Sequence, residues 1–425
     1  MLLSSLMVVV VASPVCLGLQ QGPSVWRRGG VSRLAMASAA VSTEEEAAPL
    51  AASRSSGGGG PFTKEPLLVR AARGEAVATT PVWMMRQAGR HMQAYRDLVA
   101  KYPTFRDRSE TPEASLEISL QPFEAYGVDG CIMFSDILTP LPAMGVDFSI
   151  SEKGEIRMKT VETFADLEAL EAKGFDATTA CPFVGETLRN LRAEIARAEP
   201  VDGAPAAAVL GFVGLPFTLA TYVVEGKTGT ASGFAKVKAM REDEPALLHA
   251  ILAMLARNIA DYACYQIDSG AQVVQVFDSW AGHLDDDAFE AFAATYQRQV
   301  IATIKERHPE TPVIIYMAPD AFSKNGGRLP QLAASGADVV SVDHTVDFQR
   351  ARDLIPDHIG IQGNLDPAIL RDGPLDLIKS KTEDILKIAK GKHHIMNLGH
   401  GIEATTPETH ADFFVKTVHS FVHVH

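Results

Sequence analysis

From residue 61 onward, short apolar runs alternate with longer segments in which apolar residues recur every three or four positions. The short runs are rich in valine and isoleucine and mostly lack polar alternation, as is typical of parallel strands buried on both faces. Eight of them predict strands, at residues 82–85, 130–134, 207–211, 272–276, 312–316, 337–342, 358–362 and 393–397. Eight such strands separated by helices predict one α/β domain, residues 61–425, folded as a single (β/α)8 barrel of the TIM type. The alternative is an open doubly wound sheet.

The segments between the strands carry helix signals. Thr111 followed by Pro112 predicts a helix start, since threonine is a favoured N-cap and proline is favoured at the first helical position. Long helices are predicted near residues 179–198 and at 246–269, and a last helix after Thr406. No G-x-G-x-x-G follows the first strand and no P-loop lysine occurs, so the sequence does not indicate a nucleotide-binding site.

The first 60 residues differ from the rest. An apolar run at residues 6–12 is too short to span a bilayer and is typical of a signal peptide. Residues 21–43 contain arginines and serines but no acid, and residues 55–60 form a Ser-Ser-Gly-Gly-Gly-Gly linker. Residues 1–60 are therefore predicted to be a cleavable bipartite leader and linker, directing the protein to a plastid (the chloroplast stroma). Another organelle, the cytoplasm or a simple disordered tail are the alternatives.

The composition and net charge of the chain limit the classes of partner that it can bind. The chain has 425 residues, 46% of them hydrophobic and 21% charged, with a formal net charge of −13. An acidic protein is a poor partner for nucleic acid or anionic membranes, and no stable membrane insertion is expected. The four cysteines show no C-x-x-C spacing and the thirteen histidines show no H-E-x-x-H, so no metal site is predicted. The histidines at the tail, His419, His423 and His425, are expected to be solvated.

Candidate chemistry lies at the carboxyl ends of the predicted strands, where barrels of this type place their active sites. Residues there include Arg86, Asp136, Tyr222, Ser279 and His400. Arg90 follows Arg86 closely, so a glycine-containing turn presents two guanidiniums, which suits a polyanion. An acid, two hydroxyls and an imidazole beside them suit chemistry by electrostatics and proton transfer.

Each of these residues also has a structural interpretation. The two arginines could be surface charges, Asp136 and Ser279 could cap a following turn or helix, and Tyr222 could be a core aromatic residue. His400 could be structural as well. Asp278 is expected to support its loop rather than to take part in chemistry.

Several stretches together resemble the uroporphyrinogen decarboxylase family. They are 81–90 (PVWMMRQAGR), 134–136 (FSD), 211–222 (GFVGLPFTLATY), 277–282 (FDSWAG), 363–367 (GNLDP) and 397–401 (NLGHG). They occur in the family's order over roughly residues 61–425. One departure is His91-Met92-Gln93-Ala94, where the family usually has an aromatic residue and then a proline.

The resemblance implies an enzyme that removes four acetate carboxyl groups from an octacarboxylate cyclic tetrapyrrole, uroporphyrinogen III, giving coproporphyrinogen III for haem and chlorophyll synthesis. It implies no cofactor, no metal and a homodimer. It assigns substrate contacts to Arg86, Ala88, Gly89, Arg90, Asp136, Tyr222, Ser279 and His400. Among these, Asp136, Arg86, Tyr222 and His400 are the candidate catalytic residues, with Asp136 as the central ligand of the pyrrole N–H groups.

Two other functions are weighed against this one. A zinc-dependent thiol methyltransferase of the same superfamily needs histidine and cysteine ligands at the barrel mouth. The fifth predicted strand instead ends in Tyr316-Met317-Ala318-Pro319, without H-x-C. A non-catalytic tetrapyrrole-binding protein needs the arginines but not Asp136, Tyr222 and His400 together.

Overall fold

The computed structural model describes residues 64–150, 156–201, 203–319 and 323–423. The predicted leader and linker, residues 1–60, lie outside this part of the chain, as does His425. The described strands are β1 (Gly130–Ile132), β2 (Phe148–Ile150), β3 (Ile156–Met158), β4 (Ala208–Gly214), β5 (Val273–Phe277), β6 (Val313–Tyr316), β7 (Val339–Ser341), β8 (Gly360–Gln362) and β9 (His394–Ile395).

Helices separate most of these strands. They are α1 (Leu67–Ala72), α2 (Gln93–Val99), α3 (Phe105–Glu110), α4 (Pro112–Tyr126), α5 (Phe164–Glu171), α6 (Ala177–Ala180), α7 (Pro182–Arg197), α8 (Pro216–Glu225), α9 (Ala235–Asp243), α10 (Pro245–Asp268), α11 (Asp286–Phe289), α12 (Thr295–Arg307), α13 (Leu329–Ala333), α14 (Phe348–Leu354), α15 (Pro367–Asp372), α16 (Leu375–Ala389) and α17 (Glu408–Ser420).

Seven strands form one curled, wholly parallel sheet in the order β1-β4-β5-β6-β7-β8-β9. Neighbours in the sheet are also neighbours along the chain, apart from the antiparallel hairpin β2–β3 inserted after β1. The central strands β6, β7 and β8 are buried at every position, which explains their continuous apolar sequence. The prediction of an α/β protein with a parallel sheet is confirmed. The hairpin was not predicted.

The first predicted strand, residues 82–85, was wrong in its extent. Only Val82 is in a β-bridge, with Met396 next to β9, and its carbonyl accepts a hydrogen bond from Asp129 N next to β1, at 2.8 Å. The amide groups of Met84 and Met85 donate to side chains instead of to a neighbouring strand. The segment therefore leaves the sheet after one ladder position, while touching residues beside both outer strands.

The C-terminal histidines also differ from expectation. His419 Nε2 lies 2.8 Å from Asp129 Oδ2, and that same oxygen accepts a hydrogen bond from Val82 N at 2.7 Å. His423 Nε2 lies 2.8 Å from Thr80 Oγ1. Both rings are therefore engaged in tertiary contacts because the C-terminal segment packs beside the chain entering the sheet at Val82.

Helix α10 is long and apolar enough to span a membrane by length and composition, but two thirds of its most apolar window is buried within the protein. It packs against α8, α12 and β4. Burial in the core accounts for its composition. Helix α4 begins at Pro112 with Thr111 as its N-cap residue, as predicted, although the Thr111 hydroxyl makes no capping hydrogen bond.

Candidate active site

The carboxyl ends of the strands open onto a cavity of about 230 Å³. All eight residues predicted to contact a substrate line it: Arg86, Ala88, Gly89, Arg90, Asp136, Tyr222, Ser279 and His400. The structure thus brings together side chains from five separate loops and helices. Their roles in binding and catalysis remain predictions.

Arg86 occupies an uncommon backbone conformation at the cavity. Its φ is 63°, in the left-handed region that residues other than glycine rarely adopt. Its side chain crosses Gly401 so closely that a Cβ on that glycine would lie 2.3 Å from Arg86 Cδ. Gly401 is therefore required as glycine for the arginine to take this path.

Protein surrounds Arg86, but the side chain faces the cavity and is exposed to water there. Burial lowers its pKa, and the nearby groups Tyr316, Tyr222 and Asp136 oppose that shift. Burial also lowers the pKa of Arg90, with the charge of Arg86 adding to the effect. Arginine nevertheless stays protonated in proteins, so the cavity holds two cations close together and favours an anionic ligand.

Asp136 is placed by α4 and by the turn that follows it. The hydroxyls of Ser115 and Ser119 on α4 bond the backbone oxygen and nitrogen of Phe134, at 2.7 and 2.8 Å. One carboxylate oxygen of Asp136, Oδ1, accepts a hydrogen bond from Leu138 N at 2.8 Å. Its Oδ2 accepts no hydrogen bond from any described residue. Asp136 thus caps a turn, as its structural interpretation held, and keeps one oxygen for another partner.

The electrostatic state of Asp136 follows from this environment. Burial raises the pKa of its carboxyl group, and the Leu138 amide and the Arg86 charge oppose that shift. A carboxylate held here against desolvation is a strong acceptor for N–H groups and stabilises a nearby cation.

Tyr222 reaches the cavity from α8, and Asp278 fixes the start of that helix. Asp278 Oδ1 accepts hydrogen bonds from Thr218 N and Thr218 Oγ1, at 3.0 and 2.7 Å. Its Oδ2 accepts one from Gln297 Nε2 at 2.8 Å. Asp278 therefore supports its loop, in line with the expectation from the sequence. Burial, and then the charge of Asp136, raise the pKa of Tyr222, so its hydroxyl stays protonated and can donate.

Ser279 follows Asp278 and is almost wholly buried, at 1% exposure. Its Oγ has no hydrogen-bond partner among the described residues. It does not act as a helix cap. A buried hydroxyl without a partner at a cavity wall is costly unless a ligand or water satisfies it, which supports a role in binding.

His400 lies on the loop after β9, and its ring stands edge-on to that of His344 with centroids 6.4 Å apart. Burial lowers the pKa of His400 to about 4, and the charges of Arg86 and His344 add to the effect. His400 is therefore neutral near pH 7. It can exchange hydrogen bonds with a ligand but supplies no charge.

The remaining wall of the cavity is largely aromatic, and the sequence did not single these residues out. Phe134, Phe212, Phe277 and Tyr316 lie at or beside the ends of successive strands. The rings of Phe212 and Phe277 meet edge to face with centroids 5.9 Å apart. Aromatic residues at the end of neighbouring predicted strands were the signal that could have identified them.

The segment that departs from the family pattern, His91-Met92-Gln93-Ala94, begins at this wall. His91 lines the cavity, and its Nε2 lies 3.2 Å from the Tyr126 hydroxyl. Burial and the charge of Arg96 lower its pKa to about 4. Arg96 also donates to the carbonyl oxygens of Arg90 and His91, at 2.6 and 2.8 Å, which fixes the loop that carries both arginines.

The described residues contain no group of three or more histidine, cysteine, aspartate or glutamate side chains suited to a metal ion. Among them Cys131, Cys181 and Cys264 are buried and unpaired, and burial raises the thiol pKa of each. The residues of the site therefore suit binding of an anion, hydrogen bonding and proton transfer.

Comparisons with known proteins agree with this chemistry. The family profile described as "Uroporphyrinogen decarboxylase (URO-D)" matches residues 63–421. Proteins named uroporphyrinogen decarboxylase from Prochlorococcus marinus (strain MIT 9303) and Synechococcus sp. (strain CC9902) are each 50% identical, over 354 and 353 residues. Both alignments cover 83% of this chain, and 96% and 95% of those proteins.

A solved structure of a methyltransferase from Methanosarcina mazei superimposes with a TM-score of 0.65 at 18% sequence identity. The match covers 83% of this chain and 96% of the methyltransferase, and shows a shared fold. The extent of the profile match and the identity to the two cyanobacterial proteins show that this chain belongs to the uroporphyrinogen decarboxylase family.

Proposed function

We propose that this protein decarboxylates the four acetate side chains of uroporphyrinogen III to give coproporphyrinogen III, in haem and chlorophyll synthesis. The proposal rests on one observation: Arg86, Arg90 and Asp136 line the same cavity, whose remaining wall is largely aromatic. Two cations suit the carboxylates of the substrate. A desolvated carboxylate suits the pyrrole N–H groups, which point to the centre of the ring.

The chemistry needs a place for the electrons of the breaking bond. Protonation of a pyrrole carbon forms a C–H bond and makes the ring cationic. When the C–CO2 bond of the acetate breaks, its electron pair flows into that ring and CO2 leaves. The remaining methylene carbon takes up a proton and the ring loses one, so each acetate plus one proton yields a methyl group and CO2.

The residues divide this work between them. The free oxygen Oδ2 of Asp136 accepts pyrrole N–H groups and stabilises the ring cation, which is electrostatic catalysis by a group already in place. Arg86 and Arg90 hold carboxylates through paired N–H donors, and Arg86 lies near the reacting acetate. Tyr222 and His400, both neutral, orient the substrate by hydrogen bonds, and the unpartnered Ser279 hydroxyl adds another.

Turnover of uroporphyrinogen III by the purified protein without oxygen tests the proposal. Release of four CO2 per substrate and formation of coproporphyrinogen III are expected. Tight binding without turnover would instead support a tetrapyrrole carrier. Methyl transfer to a thiol would support the methyltransferase alternative, although the stretch Tyr316-Met317-Ala318-Pro319 at the end of β6 contains no H-x-C.

We further propose that the reaction needs no cofactor and no metal. The donor set of the cavity supports this, since arginine, aspartate, tyrosine and neutral histidine supply all the binding and charge that the steps above use. Dialysis against a chelator is expected to leave the rate unchanged, and restoration of a lost rate by zinc would contradict the proposal.

We also propose that the curled sheet closes as an eight-stranded barrel, with the segment at Val82 as the eighth member. Support comes from the Val82–Met396 bridge and the hydrogen bond from Asp129 N to Val82 O. Slow amide exchange at Asp129 and Met396, whose N–H groups donate to Val82 O and Pro81 O, is expected from a closed barrel and should match that of the β5 amides. Fast exchange at both would indicate an open seam.

Assembly and location are proposals that rest on the resemblance and on the sequence. A homodimer is expected, and light scattering that shows a stable monomer at working concentration would contradict it.

A plastid enzyme that begins between about residues 37 and 61 is expected from the acid-free arginine and serine segment and the glycine linker. Mass spectrometry of the native protein measures that start, and retention of residue 1 would contradict it.

A further inference from the structure

The strained conformation of Arg86 needs support from the residues around it. A long side chain at φ 63° is strained relative to ordinary backbone regions, and this conformation persists only where the surroundings hold it. Glycine at this position would relieve the strain but would lose the guanidinium. The structure must therefore contain groups that fix the turn from Met84 to Gln87.

Gln87 is one such group. Its side chain is fully buried, and its Oε1 accepts a hydrogen bond from Met84 N at 2.9 Å. Its Nε2 donates to Gly130 O at 2.8 Å, at the start of β1. The backbone amide of Gln87 also donates to Met84 O at 2.9 Å. One side chain thus closes the turn around Arg86 and ties it to the sheet.

Asn397 is the second group, and it approaches from the opposite side. It is fully buried after β9, and its Oδ1 accepts hydrogen bonds from Met85 N at 2.9 Å and Leu398 N at 2.7 Å. Ile402 N donates to Met85 O at 2.8 Å. Asn397 therefore links the residue before Arg86 to the loop that carries His400.

We infer that Gln87 and Asn397 are positioning residues that hold the Arg86 guanidinium at the cavity and set its place relative to His400. Neither side chain lines the cavity, so both act through Arg86. The aliphatic part of the Arg86 side chain lies across Gly401, which is on the same loop as His400. This contact is consistent with a position of Arg86 that is fixed from both sides. The inference rests on the proposed function.

A double-mutant cycle tests the inference. Gln87→Met is expected to lower kcat/KM about 10- to 100-fold in the native background, because small misplacement of a binding group has effects of that size. In an Arg86→Ala background the same change is expected to cost less than about 3-fold, because the residue acts through a guanidinium that is no longer present. Equal losses in both backgrounds would overturn the inference, since they would show general damage to the fold.

Asn397 is tested by a conservative pair. Asn397→Leu removes the acceptor for two buried amides, whereas Asn397→Asp keeps an acceptor oxygen and replaces Nδ2, which has no partner among the described residues, with a second oxygen that can carry a charge. The aspartate variant is expected to recover most of the kcat/KM lost in the leucine variant. An aspartate variant as impaired as the leucine variant, or a leucine variant as active as the native protein, would overturn the role of Asn397.

Gln266→Met is the matched control. Gln266 is also fully buried and exchanges two hydrogen bonds with the backbone of one residue, Phe212, at 2.8 and 2.9 Å. Its effect on kcat/KM is expected to be the same with or without Arg86. A control that lost its effect in the Arg86→Ala background would overturn the inference, since the coupling would then not be specific to the turn.

Binding of uroporphyrin, the stable oxidised form of the substrate, separates this inference from the proposed function. Gln87→Met is expected to weaken that binding about 10-fold only where Arg86 is present. A native protein that binds uroporphyrin but does not turn over uroporphyrinogen would contradict the proposed function, while the cycle on affinity would still decide the positioning role. Equal weakening in both backgrounds would overturn the positioning role even in an active enzyme.

Discussion

At the scale of single residues, the two carboxylate oxygens of Asp136 have different surroundings, so one side chain can both cap a turn and bind a ligand. Oδ1 is held by Leu138 N, while Oδ2 has no partner among the described residues. The sequence presented capping and substrate binding as alternatives. The geometry allows one side chain to do both, so a cap at this position is no argument against a catalytic role.

Asp136→Asn is expected to fold normally and to lose at least about 100-fold in kcat, the scale on which preorganised electrostatic groups act. The amide keeps the oxygen that accepts from Leu138 N but places N–H donors where the pyrrole N–H groups need an acceptor. Because burial raises the pKa of Asp136, removing its charge is expected to leave the thermal midpoint unchanged or higher.

Kinetics and thermal melts on the same preparation check this prediction. The control is Asp176→Asn, since Asp176 makes the same kind of bond, from Thr178 N at 2.9 Å, at an exposed helix start away from the cavity. Turnover of the Asp136→Asn variant at the native rate would reduce the carboxylate to a turn cap.

Arg86 is expected to be poorly replaced by lysine. Each charge-assisted hydrogen bond contributes roughly 1.5–3 kcal/mol, or about 10- to 150-fold, and an ammonium cannot make the paired contact of a guanidinium. Arg86→Ala and Arg90→Ala should each impair steady-state kinetics more than stability, and Arg86→Lys should recover little. A lysine variant with near-native kcat/KM would show that only net charge matters at this position.

The pH dependence of kcat/KM is expected to have an acid limb that belongs to Asp136. Because the pKa of Asp136 is raised, its carboxylate becomes protonated at a higher pH than an ordinary aspartate does as the pH falls. The protonated group is a weaker acceptor for the pyrrole N–H groups. Burial lowers the pKa of His400 to about 4, so its ring is neutral near pH 7. The limb should therefore persist in His400→Gln, and its disappearance in that variant would assign it to the histidine.

At the scale of elements, the position of Tyr222 depends on how α8 begins. That helix has no side-chain cap of its own, and Asp278 from the end of β5 bonds Thr218 in its first turn instead. Trp280 N also donates to Thr218 Oγ1, at 3.1 Å. A negative charge near a helix N-terminus is favourable. The Asp278 carboxylate, however, is wholly buried and pairs with no cation among the described residues, and burial raises its pKa to about 6.

Asp278→Asn is expected to be at least as stable as the native protein at pH 7. The folded-state pKa lies above the unfolded value of 3.8, so the ionised form opposes folding, and native stability falls as pH rises from about 4 to about 6. The rise of the Asp278 pKa from 3.8 to about 6 corresponds to roughly 3 kcal/mol of folding free energy. The asparagine oxygen still accepts from Thr218, and its amide can donate to Gln297 Oε1, which lacks a partner among the described residues, once the Gln297 amide rotates.

Thermal melts of the two proteins between pH 4 and pH 8 check this. The stability of the native protein relative to the variant should fall across pH 4–6 and then level off. A constant difference over that range would mean that Asp278 does not carry the charge proposed for it.

At the scale of the whole molecule, the C-terminal helix helps to hold the segment at Val82. Asp129 Oδ2 contacts both Val82 N and His419 Nε2, which joins three distant parts of the chain. Burial alone would lower the pKa of His419, but the hydrogen bond to Asp129 and its charge outweigh burial and raise it. The protonated ring therefore stabilises the fold.

His419→Gln tests this contact because glutamine keeps an N–H donor and removes the charge. Since the folded pKa is raised, the stabilisation by His419 is complete below its unfolded pKa of 6.5 and is lost as pH rises through the folded value. The stability of the native protein relative to His419→Gln should therefore decline as pH rises above about 6.5. A difference that does not change between pH 6 and pH 9 would exclude this role.

The parallel sheet, and the edge of it at which the site lies, could be predicted from the order of apolar and polar residues alone. Buried parallel strands require contiguous apolar residues, so seven of the eight predicted strands overlap a strand of the sheet, with shifts of a few residues at their ends. Residues that follow such runs lie at the same edge of the sheet, and all eight candidate site residues line one cavity there.

Features that depend on contacts between residues far apart in the sequence could be read only from the folded chain. The left-handed turn at Arg86, the cap that Asp278 supplies to α8 and the engagement of His419 by Asp129 have no local pattern. The strand at Val82 is short because Gln87 and Asn397 take the amides that would otherwise extend it. Side-chain partners far apart in sequence compete with the backbone ladder, and that competition is settled only when the chain is packed.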